Sequence, residues 1–252
     1  LSPIAISLTA LAVIFGGALL GILLRAVLPI HHLSSESKDV VTLGMGLVGT
    51  VAALVLGLLI ASAKESYDTQ SNELTGMSAK LVLLDRVLAH YGPETQEERE
   101  LMRKFVVHSL DNMWSKNPFS TSSPLEGPSV GNEKIYDKVQ ELSPKDEMQR
   151  SLQTQALNMI MSLAETRWLM FAQRAASVSM TLLIMLIFWL TIIFVSFGLF
   201  APRNMTVTVS LFFSALAVSG AILLILEMST PYSGLIQVSS APLRAALSHL
   251  GQ

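Results

Sequence analysis

Four stretches of the chain carry no charged residue: 1–24, 40–63, 175–202 and 204–226. A helix of about 24 residues rises about 36 Å, enough to cross a hydrocarbon core of about 30 Å. Four runs of this kind predict four membrane-spanning helices. Between the second and third run the pattern changes. Leu74, Met77, Leu81, Leu84, Leu88 and Tyr91 recur at alternating steps of three and four, a heptad seam that continues the second span without a break until Gly92-Pro93 stops it.

Beyond that stop, a second helix is predicted from Pro93 or Glu94 to Trp114, with Leu101, Phe105, His108 or Ser109, and Asn112 facing inward. Residues 115–132, rich in Ser, Pro, Gly and Asn, read as a mobile surface loop. A short helix over 133–142 follows. Ser143-Pro144 reads as the cap and first position of a last long helix, with Leu152, Ala156, Met159 or Ile160, Leu163 and Met170 on one face, running straight into the third span. After the fourth span, Ser229-Thr230-Pro231 breaks the helix and 232–238 is extended. Ser239 and Ser240 cap a short helix whose Leu243, Leu247 and Leu250 must pack on something, since ten residues cannot hold a helix alone. The expected fold is therefore all-α: an integral membrane protein of four transmembrane helices with a helical cytoplasmic domain formed by extensions of the second and third spans. Its parts are a first helix pair (1–63), the helical domain (64–174), a second pair (175–228) and a C-terminal extended segment with a short amphipathic helix (229–252).

Composition sharpens this division. Only 14% of residues are charged and the mean hydropathy is +0.51, against about 25% charged in soluble domains. Residues 64–174 hold 13 of the 17 Lys and Arg and 16 of the 19 Asp and Glu, so this block faces water. With four spans, it shares a side with both termini. Cations near the span ends number five on that side (Lys64, Lys80, Arg167, Arg174, Arg244) and three on the other (Arg25, Lys38, Arg203), which places the domain and termini in the cytoplasm of an inner (plasma) membrane protein. The first run lacks the basic leader and small-residue cleavage pattern of a signal peptide.

Gly44, Gly46 and Gly49 match the spacing of a dinucleotide-binding turn, but they sit inside an apolar run rather than between a strand and a soluble helix. Membrane packing explains them better. Gly49, Ala53, Gly57 and Ala61 recur every four residues along the second span, and Gly17 and Gly21 form a shorter strip on the first. Small residues let helix backbones approach where no hydrophobic force acts between helices. The same strip, or its flank with Gly46 and Thr50, could instead line an axial pore in an oligomer. There Lys64 at the end of the span would form a cationic collar, opposed by Glu65. On the fourth span Thr206, Ser210 and Ser214 repeat every four residues, as a packing face or as a polar wall.

Chemistry of other kinds finds little support. The chain has no cysteine, which removes disulfides, thiolate catalysis and cysteine metal sites. His31-His32 lacks spaced carboxylate partners, so no metal or cofactor is expected. No nucleophile elbow, zinc-protease or P-loop pattern occurs, and no enzyme activity is expected. Acids interleave with bases, which leaves no nucleic-acid footprint.

Three stretches, "IASAKESYD" (60–68), "LLDRVLAHYGPE" (83–94) and "PYSGLIQVSSAPLRAAL" (231–247), resemble the bestrophin-like family of bacterial four-span membrane proteins. The family is distantly similar to bestrophins, which are pentameric anion channels. The resemblance implies a homo-oligomeric ion channel, anion-selective, as a pentamer or, alternatively, a tetramer in the lipid bilayer. No acidic calcium clasp of the bestrophin kind is present, and no bestrophin site residue carries over. The rival expectation is a non-conducting scaffold that recruits partners through its cytoplasmic helices.

Overall fold

The structure is a computed structural model that describes residues 2–29, 34–114, 129–175, 179–202, 204–232 and 234–251. Every regular element among them is helical: α1 (Pro3–Val27), α2 (Ser35–Tyr91), a 3-10 turn (Pro93–Thr95), α3 (Gln96–Met113), α4 (Ser129–Glu141), α5 (Glu147–Ala175), α6 (Met180–Phe200), α7 (Met205–Met228) and α8 (Ala241–His249). Four of these, α1, α2, α6 and α7, are long and apolar enough to cross a membrane. The chain divides into two compact units. One comprises 1–66, 178–230 and 234–236; the other comprises 67–177, 231–233 and 237–252.

In the first unit, α1 is the central helix. It runs parallel to α6, because Gly17 meets Thr191 and Val195, Gly21 meets Val195 and Leu199, and Arg25 donates to the Ala201 carbonyl. It runs antiparallel to α7, because Phe15 stacks edge-on against Phe212 at 5.3 Å while Ser219 Oγ donates to the Ser7 carbonyl at 2.6 Å. Glycine is required at the α1–α6 crossing. A Cβ at Gly21 would collide with the Val195 carbonyl and lie 2.8 Å from the Leu199 nitrogen, and one at Gly198 would strike the Ala18 carbonyl. Backbones this close gain dispersion contacts that lipid cannot supply.

The second unit has its own apolar core. The heptad positions of α2 that the sequence marks are all buried, and they pack with Met102, Val106, Leu110 and Met113 of α3, Ile135 and Val139 of α4, and Ala156, Ile160, Leu163 and Met170 of α5. Helix α2 ends where glycine is needed: Gly92 adopts φ 138°, and Pro93 opens the 3-10 turn. Thr95 Oγ1 donates to the Leu88 carbonyl at 2.6 Å, tying the turn to the last coil of α2. The C-terminal segment packs on this core through Tyr232, Val238, Leu243 and Leu250. Trp114 Nε1 donates to the Val238 carbonyl at 2.9 Å and Tyr67 donates to that of Gln237 at 3.1 Å.

Four expectations need correction. Helix α5 begins at Glu147 rather than at Ser143-Pro144, with the Asp146 carboxylate accepting the Gln149 N–H at 2.7 Å as its cap. The fully buried face of α3 is Met102, Val106, Leu110 and Met113; Leu101 and Phe105 are half-buried and pack against the edge of the same core, Ser109 is half-buried and His108 is exposed. Apolar residues stand in adjacent pairs here (Leu101-Met102, Phe105-Val106), so the pattern fits two faces about 100° apart and packing selects the second. Helix α4 begins at Ser129, inside the stretch expected to be loop; residues 115–128 of that stretch lie outside the described residues, as do His31 and His32. Finally, α5 does not continue unbroken into the third span. Ser179 has non-helical backbone (φ −58°, ψ 105°) and precedes α6; its side chain makes no capping hydrogen bond, so the interruption lies in the backbone conformation itself.

Candidate functional site

The glycine-rich face of α2 is built from an i, i+4 row and its flank. Along such a row each step turns about 40° beyond a full circle, so three steps carry it about 120° around the helix. The structure resolves the row accordingly. Gly49 is half-covered, and a Cβ there would stand 4.0 Å from Ile193 Cδ1. Ala53, Gly57 and Ala61 are exposed, and a Cβ at Gly57 meets nothing within 4 Å. Gly46, Thr50 and Lys64 are exposed as well, and Gly46 is equally open. The covered side of the same stretch is Ala52, Leu59 and Ala63.

The face is thus made of Gly46, Thr50, Ala53, Gly57, Ala61 and Lys64. It presents hydrogens, methyls and one hydroxyl, with the Lys64 side chain at its end. That hydroxyl donates to the Gly46 carbonyl at 2.9 Å, which leaves its oxygen lone pairs facing outward. The second span is also the least covered of the four. Of its most apolar 18 residues, 11% are buried, against 33%, 33% and 28% in α1, α6 and α7.

The remaining sequence candidates fall elsewhere. Gly17 and Gly21 lie in the α1–α6 crossing. Ser210 and Ser214 are exposed on α7, with Ser214 Oγ bonded back to the Ser210 carbonyl at 3.0 Å. The covered face of α7 is Ala215, Ser219, Ile222 and Leu226, one residue around from that stripe.

The pairing of Asp85 with Arg99 carries no reading in the sequence, whereas Glu227 and Arg167, at the edges of the spans, fit interfacial anchors or ion-pair partners. Glu227 is 2% exposed, and its carboxylate accepts the backbone N–H groups of Leu235 and Ile236. This folds the chain after α7 back onto the helix end, and glycine is needed at 234, where φ is 93° and a Cβ would strike that carboxylate. Asp85 is 1% exposed and takes a two-pronged bond from Arg99, Nε to Oδ1 at 2.8 Å and Nη2 to Oδ2 at 2.9 Å. The carboxylate holds the Arg99 guanidinium above its ordinary pKa, chiefly through these hydrogen bonds. Gly251 N–H donates to the same carboxylate at 3.2 Å. On α5, Arg167 lies 4.8 Å over the Phe105 ring, and burial lowers its pKa. A sequence signal existed for Asp85: it is the lone acid beside an otherwise apolar seam. None existed for its distant partner. Among the described residues no group of three or more His, Cys, Asp or Glu could hold a metal ion.

Residues 12–243 match the family model described as the bestrophin-like domain. The chain belongs to the bestrophin-like family. With its four apolar helices, this makes it a multi-pass membrane protein, and family membership points to a channel-type function. Neither curated proteins nor solved structures give a match. In this bestrophin-like chain a single copy leaves α2 the least covered span, its small-residue face and large residues such as Leu43, Leu47, Leu54 and Leu58 alike.

Proposed function

We propose that the protein is a homo-oligomeric, bestrophin-like ion channel, anion-selective by resemblance, in which second spans from several copies surround the permeation path. The observation that carries this reading is the open small-residue face of α2, the least covered of the four spans. Lipid alone does not call for such a face, since large apolar side chains suit lipid equally well. A row of glycine and alanine favours a surface that another helix or a narrow water column approaches closely. Four spans are too few to enclose such a column, so the path requires further copies. The role is conduction rather than catalysis.

Lys64 closes this face at the end of the apolar stretch. A ring of lysines there concentrates anions, and Lys64→Glu reverses its sign. In liposomes the variant is expected to move the reversal potential under a chloride gradient towards that of cations by tens of millivolts. An unchanged reversal potential would remove Lys64 from the path. The orientation proposed for the plasma membrane, with domain and termini cytoplasmic, is checked by fusing reporters after Gln252: one active only in the cytoplasm should work, and activity of an export-dependent reporter would reverse the assignment. Flux itself decides between classes. A stable oligomer that passes no ion under any voltage, pH or calcium level belongs with non-conducting scaffolds.

A further inference from the structure

We infer that the helical unit carries an oxyanion site at Lys80, shaped for the phosphate of a small, hydroxyl-rich molecule such as a sugar or polyol phosphate. An open groove of about 880 Å³ runs along α5, with Lys80 of α2 at one end and Glu147 and Arg150 at the other. Lys80 is half-buried, and its ammonium donates to Ser162 Oγ at 2.8 Å and Thr166 Oγ1 at 3.3 Å. Among the described residues no carboxylate lies within 4.0 Å of it, whereas Lys104, Lys138 and Lys145 each have a glutamate at that range.

The donors left over converge. An ammonium has three N–H groups, and the two hydroxyls take two of them. Thr166 spends its own proton on the Ser162 carbonyl at 2.9 Å, whereas among the described residues the Ser162 hydroxyl only accepts. One N–H of Lys80 and the O–H of Ser162 therefore remain to bind an oxyanion at the groove's end, as a charge-assisted pair. Asn158, one turn earlier on α5, and Gln155 beyond it line the adjoining floor with neutral amides that suit hydroxyl groups.

Charge and shape select the ligand further. Glu147 is the one carboxylate in the lining, and it is bonded to Arg150 at 3.1 Å. It lies about 22 Å from Ser162 along the helix, beyond the screening length of about 8 Å at physiological salt. Glu165 is exposed and does not line the groove. No aromatic side chain lines it either, so a nucleobase would find nothing to stack on. The site is independent of whether the second span conducts ions.

The test is calorimetric titration of the full chain in phosphatidylcholine nanodiscs with inorganic phosphate and with glycerol 3-phosphate, at matched ionic strength. Saturable binding is expected, tighter for glycerol 3-phosphate. Lys80→Met should weaken it at least about tenfold, since it removes a charged hydrogen bond. Ser162→Ala, a smaller change on a half-exposed position, should weaken it several-fold while the helical circular dichroism stays at the wild-type level. Absence of saturable heat in the wild type, or equal affinity in both variants, overturns the proposal. So does phosphate binding that disappears in phosphatidylglycerol nanodiscs, because the site would then belong to lipid headgroups.

Discussion

Asp85→Ala is expected to destabilise the helical unit by about 3–5 kcal/mol, the range for removing one partner of a buried ion pair. Asp85 is 1% exposed and the Arg99 side chain 19%, so water reaches the pair poorly. Alanine would remove both bonds to the guanidinium and leave the Gly251 N–H without this acceptor. The same physics makes a second demand. The double replacement Asp85→Leu, Arg99→Met removes both charges together and should recover most of the loss, because bringing two charges out of water costs about what their attraction returns. Thermal unfolding of the detergent-solubilised protein, followed by circular dichroism, measures both. A single variant that melts within a degree of wild type would show that the pair is well hydrated. A double variant as damaged as the single would mean that the carboxylate does more than balance Arg99, with the C-terminal Gly251 contact the first place to look.

The parts of this fold legible in the sequence are those fixed by long uninterrupted patterns. Uncharged runs of more than twenty residues leave no competing reading, and a seam spaced by threes and fours between Leu74 and Tyr91 can only be one face of a helix. Gly92-Pro93 ends that helix through backbone geometry, which is local and therefore readable. What was hidden depends on residues far apart in sequence. Ser7 and Ser219, or Asp85 and Arg99, meet only after α1 has found α7 and α3 has folded against α2. The sequence leaves the phase of α3 open because adjacent apolar pairs satisfy two phases of one period, and neighbouring helices choose which is fully buried. In the candidate site, spacing alone groups Gly46, Thr50, Ala53, Gly57, Ala61 and Lys64 on one side of a helix. That α1 prefers α6 and α7 as neighbours, leaving this side of α2 open, is a property of the packed unit. Lys80 was countable as a cation, but its two hydroxyl partners come from α5 and carry no sequence signature.

Two glycine-to-leucine changes should fail in different ways, and the difference tests what the open face is for. At Gly21, a side chain meets backbone: the Val195 carbonyl and the Leu199 nitrogen occupy its space, and neither can rotate away as a side chain would. Gly21→Leu must push α1 off α6, which breaks the Arg25 bond to the Ala201 carbonyl at the far end of the same crossing. The expected cost is at or above the upper end of about 1–3 kcal/mol for overpacking, seen as a lower melting temperature of the detergent-solubilised chain even when it is monomeric. At Gly57 nothing lies within 4 Å, so Gly57→Leu should leave the folding of a single copy unchanged. Its effect appears only where copies meet. The oligomer should loosen on size exclusion, or ion flux in liposomes should fall to background while the oligomer persists. Leu56→Ala, off this face, should do neither. If Gly57→Leu instead lowers the melting temperature of monomeric protein as Gly21→Leu does, the face is filled within one chain. If it assembles and conducts as wild type, the small residues of α2 do not line the path.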